Sequence, residues 1–245
     1  MSYNNWLFNA IKSAIFYLGL LIIVFLTGIV SGVSYFQSPL KRQKTLSVGN
    51  HLIMQWLNLI CKIDVQVTGL ENIPTGACVI LCNHESAWES FYLQWLLQPA
   101  SFVLKQELMW LPFFGWSLAA MAPIAIDRNK PLSSIRTVLN KGQKRLNRDI
   151  RVVIYPEGTR RPHANLGTFK TGGAALAKTA KVPIIPIAHN AGAHWPTNTW
   201  IKTPGTIHLI IGKPIETSNQ SPRELTDAAK DWIMSAINNN GPKTS

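Results

Sequence analysis

The chain has 245 residues, of which 47% are hydrophobic and 15% charged. That is enough apolar matter for a buried core and too little charge for a disordered polymer. Three cysteines, Cys61, Cys78 and Cys82, exclude a disulfide framework, and their spacing offers no four-ligand zinc pattern. The net charge is +12, and between Arg128 and Lys181 lie 13 basic residues against only Asp149 and Glu157. A basic segment of this kind calls for an anionic partner (nucleic acid, anionic lipid or a phosphorylated substrate), although solvated helix faces account for part of it.

The first element is apolar. Ala14 to Phe36 contains no charged residue, and as a helix it would extend about 34 Å, against roughly 30 Å of bilayer hydrocarbon. A cleaved signal peptide is the competing reading, but its apolar region is normally about 7–15 residues after a basic start. Lys41, Arg42 and Lys44 follow, so the positive-inside rule puts the rest of the chain at the cytoplasmic face. Leu46 to Lys62 then carries a helical stripe with Trp56 and polar residues interleaved. It suits a helix lying in the membrane interface, or else a core helix of the following domain.

From Asp64 onward short β-rich runs alternate with helical patterns. Strands are predicted at 64–68, 78–82, 101–104, 123–126, 152–155, 183–188 and 207–211. Helices are predicted near 87–97, 107–119, 132–147 and 170–180, with 222–238 closing the chain. This alternation indicates an α/β fold, a mixed, largely parallel sheet flanked by helices, behind an N-terminal two-helix membrane attachment. The expected division is 1–62 for the membrane-associated helices, 63–238 for the α/β domain and 239–245 for a frayed tail.

Ligands of such sheets sit beyond the carboxyl ends of the strands, which makes the residues following each strand the candidates. After Cys78–Cys82 come His84 and, five positions on, Glu89. A carboxylate there could hold Nδ1 of the imidazole and leave Nε2 free to take a proton; a structural histidine is the plainer alternative. Ser86 raises a serine-nucleophile reading but lacks the G-x-S-x-G elbow. After Val152–Tyr155 comes Pro156-Glu157-Gly158-Thr159-Arg160. Here Gly158 permits a tight turn, and Arg160 offers either a planar fork for phosphate oxygens or an ion pair with Glu157. Phe169-Lys170-x-Gly172 could open a helix whose amides add to an anion site. Lys105-Gln106-Glu107-Leu108 and Ile126-Asp127-Arg128 follow two further strands.

In order and spacing these clusters resemble the glycerolipid acyltransferase family that includes 1-acylglycerol-3-phosphate O-acyltransferase, the PlsC type. Asn83 and His84 match its N-H-x-x-x-x-D block, with Glu89 in the Asp position. Lys105–Leu108 and Gly115 through Arg128 match the second block, Tyr155–Arg160 the third, and Val182–Pro186 the fourth. The resemblance runs from about Val67 to Ile211. It implies transfer of a fatty acyl chain from acyl carrier protein or coenzyme A to the sn-2 hydroxyl of lysophosphatidic acid, giving phosphatidic acid. His84 would be the general base and Glu89 its orienting acid. Lys105, Glu157, Gly158, Thr159 and Arg160 would bind substrate, with no metal or organic cofactor. It also implies attachment to the cytoplasmic face of a bacterial-type inner membrane. Other acceptors (a lysophospholipid or a lyso-ornithine lipid) and a non-catalytic homologue disabled by Glu89 are alternatives. A membrane-tethered nucleic-acid-binding module is more distant, since no recognition motif accompanies the basic segment.

Overall fold

The computed structural model describes residues 3–240; the predicted tail beyond Asn240 lies outside the described residues. Two long helices come first, α1 (Tyr3–Ser34) and α2 (Pro39–Cys61). Then follow β1 (Ile63–Thr68), β2 (Val79–Cys82), α3 (Trp88–Leu96), β3 (Ala100–Lys105), α4 (Phe114–Ala120), β4 (Ile124–Ile126), α5 (Pro131–Leu146), β5 (Arg151–Ile154), α6 (Gly172–Ala180), β6 (Ile184–His189), β7 (Gly205–Ile211) and α7 (Pro222–Asn240). The strands form one seven-stranded sheet in the order β1-β7-β6-β2-β5-β3-β4. Every pairing is parallel except β6 with β7. The sheet is therefore mixed and largely parallel, as predicted.

Side-chain alternation divides the core into two layers, since successive residues of a strand point to opposite faces. Ile80, Cys82, Val153 and Tyr155 join the layer that contains Phe16, Ile53, Leu57 and Trp88 from α1, α2 and α3. Val79, Leu81, Val152 and Ile154 join Val138, Leu176 and Leu225 from α5, α6 and α7. Central strands covered on both sides read as continuous apolar runs, and all four residues of β2 are buried.

The helix predicted over 107–119 is two pieces. A 3-10 turn covers Gln106–Trp110, and α4 starts only at Phe114. Pro112 has no N–H to donate to a continuing helix, and Phe113 takes φ +61°, a value outside the helical region. At the other end of the domain, α7 runs to Asn240, two residues past the helix end predicted at 238.

α1 contains a stretch long and apolar enough to cross a membrane, and only 17% of its most apolar window is buried by the protein. Its hydroxyls turn inward on their own helix: Ser13 donates to Asn9 O, Thr27 to Ile23 O and Ser31 to Gly28 O, which satisfies these groups within the helix. The helix lies along the domain. Gly19 faces the Trp56 indole, Gly28 faces Phe113, and Gly49 of α2 faces Thr27, each so closely that an added Cβ would collide. Near its start, the buried Lys202 donates to Tyr17 Oη and, at 2.7 Å, to Trp200 O. Its ammonium also lies over the Tyr17 and Trp195 rings, and burial lowers its pKa to about 7. Leu18, Leu21, Ile22, Phe25, Ile29 and Val33 remain exposed on the outer side.

Candidate active site

β2 ends at Cys82, and the chain then runs through Asn83-His84-Glu85-Ser86 before α3 begins at Trp88. Nδ1 of His84 lies 2.7 Å from Oε1 of Glu89. The same oxygen accepts the backbone N–H of Ser86 at 3.0 Å and of Glu85 at 3.2 Å. Glu89 is completely buried in the first turn of α3, where the N-terminal end of a helix favours negative charge. Burial alone would push its carboxyl up. The nearby His189, the bond from His84 and the Ser86 N–H reverse that and hold it below the usual carboxylate range. For His84, desolvation by burial outweighs the Glu89 carboxylate, and Arg160 and Arg128 act in the same direction, so its pKa is lowered. The result is a neutral imidazole, fixed by an Nδ1–H···carboxylate bond, whose Nε2 makes no hydrogen bond among the described residues. Such a nitrogen is available to accept a proton.

Around this pair the ends of three strands converge. The Tyr155 ring, at the end of β5, stacks on His84 with centroids 4.2 Å apart and planes 10° from parallel. The Arg161 N–H donates to His84 O at 2.7 Å, and the His84 N–H donates to Glu157 Oε1 at 3.2 Å. Glu157 thus holds the histidine backbone instead of pairing with Arg160. Its second oxygen is buried without a hydrogen-bond partner among the described residues, and burial raises its pKa to about 7. Gly158 turns with φ +72°, and Thr159 and Arg160 stand exposed beyond it. Ser86 is no nucleophile here: its hydroxyl donates to Trp195 O and accepts the Trp88 N–H.

Three residues that motif reading left without a role complete the frame. Asn83 and His189 exchange bonds, Asn83 Nδ2 to His189 O at 2.9 Å and His189 N to Asn83 Oδ1 at 3.0 Å, which ties the end of β2 to the end of β6. The His189 ring donates from Nε2 to Asn83 O and accepts the Ala191 N–H at Nδ1, and its Nε2 lies 3.9 Å from Glu89 Oε2. Glu85, almost fully buried, bonds His163 Nδ1 at 2.9 Å and accepts the N–H groups of Ala164 and Gly192 at 3.2 Å. One carboxylate beside His84 therefore fastens two separate loops. Only position signalled these residues: Asn83 and Glu85 flank His84, whereas His189 lies 105 residues away in sequence.

The basic candidates fall near one another at the carboxyl ends of β3, β4 and β5. Lys105 pairs with Glu107 at 3.1 Å. Arg128 senses both the Glu107 carboxylate and the Arg160 guanidinium, and desolvation lowers its pKa. A cavity of about 200 Å³ opens between the sheet and α1 to α4, lined by Arg160 and Tyr155 together with Val24, Ile53, Phe91 and Leu118. Apart from Arg160 its lining carries no charge.

Known proteins extend this picture. A family model described as Acyltransferase matches residues 64–190. A 1-acyl-sn-glycerol-3-phosphate acyltransferase from Pseudomonas aeruginosa is 41% identical over 234 residues, covering 94% of this chain and 91% of that protein. One from Saccharomyces cerevisiae is 29% identical over 75% of this chain and 65% of its own length. The fold is shared with the crystal structure of the 1-acyl-sn-glycerophosphate (LPA) acyltransferase PlsC from Thermotoga maritima, at a TM-score of 0.81 and 21% identity over 97% of this chain and 98% of that one. The chain belongs to the acyltransferase family and is an enzyme of acyl transfer.

Proposed function

We propose that the enzyme moves a fatty acyl chain from a thioester to the sn-2 hydroxyl of lysophosphatidic acid, forming phosphatidic acid. The observation that carries this reading is the buried His84–Glu89 pair beside an exposed guanidinium, that of Arg160. In the proposed reaction Nε2 of His84 takes the proton of the sn-2 hydroxyl as its oxygen attacks the thioester carbonyl. The tetrahedral intermediate then collapses, the C–S bond breaks, and the thiolate leaves with the proton returned by the imidazolium. Glu89 holds the tautomer and stabilises the positive ring during the step. Arg160, with Lys105 assisting, grips the acceptor phosphate, and the apolar cavity at Arg160 and Tyr155 receives the acyl chain. Proton transfer and positioning suffice for this chemistry, so the proposal requires no metal or organic cofactor. The donor is an acyl carrier protein or coenzyme A thioester.

Membrane attachment is part of the same reading. The uncovered apolar face of α1 is taken to enter the lipid where the acceptor resides, with the α/β domain on the cytoplasmic side as Lys41, Arg42 and Lys44 indicate.

The test is a product assay with both donors on an acceptor panel: lysophosphatidate, a lysophospholipid bearing an esterified phosphate, and a lyso-ornithine lipid. Preference for the phosphomonoester supports the reading. Equal turnover of all three overturns the acceptor assignment.

A further inference from the structure

On the opposite face of the sheet from the cavity just described lies a larger one of about 460 Å³, walled by α5, α6 and the ends of β4 and β5. Its interior is apolar, with Ile126, Val138, Ile154 and Phe169, and its charged residues are Arg128 and Lys170. Among the described residues no carboxylate lines it. Arg128 carries a buried Nε with no hydrogen-bond partner among the described residues, and Glu107, the carboxylate that acts on it, is already paired with Lys105. The Lys170 ammonium sits over the glycine turn, 3.1 Å from where a Cβ on Gly158 would be. All lining residues except Val103 and Ile126 fall between Arg128 and Lys181, the segment that holds most of the excess positive charge.

The two cavities share two lining residues, Val103 and Tyr155, and Tyr155 is the residue stacked on His84. Both therefore reach the ring that stacks on the imidazole, although His84 itself lines neither. A thioester donor has that same layout: an uncharged acyl chain on one side of the C–S bond and, on the other, an amide-bearing arm that ends in phosphate. We infer that the cavity between α5 and α6 receives the phosphopantetheine arm of the acyl donor, with its phosphate at Lys170 and Arg128. This inference rests on the proposed thioester reaction. With the chain in one cavity and the arm in the other, the reacting carbonyl falls at Tyr155, the residue stacked on His84. Coenzyme A and acyl carrier protein both present this arm, so it is the shared chemistry that the cavity recognises.

Gly172 supplies a probe. It lines the cavity, and an added Cβ there would meet nothing within 4 Å, so Gly172→Leu narrows the space without a backbone clash. Full-length protein in detergent is assayed with palmitoyl-coenzyme A and with palmitoyl-acyl carrier protein, and each variant is first checked for an unchanged melting temperature. Gly172→Leu and Lys170→Gln are expected to raise the KM of both donors about tenfold, with the lysophosphatidate KM unchanged and donor KM restored in Lys170→Arg. Wild type should favour palmitoyl-phosphopantetheine over palmitoyl-pantetheine by a similar factor, and Lys170→Gln should not. Three results would overturn the inference: unchanged donor KM in both variants, a raised acceptor KM instead, or an effect confined to one donor. If wild type makes no phosphatidic acid from any thioester, it is the underlying reaction that fails; if it does and the variants leave donor KM alone, only the placement of the arm fails.

Discussion

His84 and Glu89 are joined by a 2.7 Å contact between Nδ1 and Oε1, and that same carboxylate oxygen also takes two backbone N–H groups from the residues following the histidine. The carboxylate therefore fixes both the imidazole and the turn that carries it. Glutamate at this position, where the family pattern has aspartate, still reaches the ring. Its extra methylene lets the carboxylate lean back from the first turn of α3 onto residues 84–86. His84→Ala should lower turnover by roughly 10²–10⁴-fold, the usual contribution of a general base. Glu89→Ala should fall in the same range, because a buried imidazole loses its orienting acceptor, while Glu89→Asp should retain partial activity. Single-turnover measurements check this, and full activity in His84→Ala would remove the base assignment.

The pH dependence follows from the direction of the His84 shift. Burial lowers its pKa from 6.5, so the neutral, proton-accepting form persists below that value. The acid limb of kcat should lie under pH 6.5, with activity lost as pH falls through the lowered pKa. A limb at or above 6.5 would contradict the neutral-base arrangement.

Arg160 is exposed and makes no salt bridge among the described residues, so its removal should leave the fold intact. Arg160→Ala should raise the lysophosphatidate KM by one to two orders of magnitude, equivalent to about 1.4–2.8 kcal/mol, with a smaller effect on donor KM. Arg160→Lys should recover only part of this, since a point charge replaces a bidentate fork.

Glu85 predicts a loss that reaches beyond its own position. Glu85→Ala leaves the Ala164 and Gly192 N–H groups and the His163 ring without their shared acceptor. The expected cost is about 2–4 kcal/mol of stability, given one charged, multiply bonded group removed from a buried site. Glu85→Gln should be milder. Hydrogen exchange should show increased opening at 163–164 and 192 in Glu85→Ala and not in distant strands.

Glu157 predicts a stability change with pH. Its folded pKa is raised from 4.5 to about 7, so the folded state holds a proton that the unfolded chain releases at lower pH. Stability therefore falls as pH rises between these two values, by on the order of 3 kcal/mol. Glu157→Gln keeps an acceptor for the His84 N–H and avoids the buried charge. The variant should melt higher than wild type at pH 8, with the difference shrinking towards pH 4.5, as thermal unfolding in detergent can establish.

The sequence by itself determined the fold class and the positions of the candidate groups. A short apolar run such as Val79–Cys82, followed by a polar segment, fits a strand covered on both faces, and ligand groups of a parallel sheet gather after the strand ends. His84, Glu89 and Arg160 were found on that local logic, as was the apolar helix α1, because hydrophobic periodicity and strand-end position are properties of short segments. The helix predicted over 107–119 takes no account of Pro112, which has no N–H for a continuing helix and sits where the element breaks. What only the tertiary structure decided is how distant segments meet. His189 faces Glu89 because β6 lies next to β2. Glu85 reaches His163 and Gly192 across two loops. Tyr155, one residue beyond the end of β5, lines both cavities and stacks on His84. Strand order and burial are set by the packing of the whole chain, so these relationships have no signature in any one stretch of it.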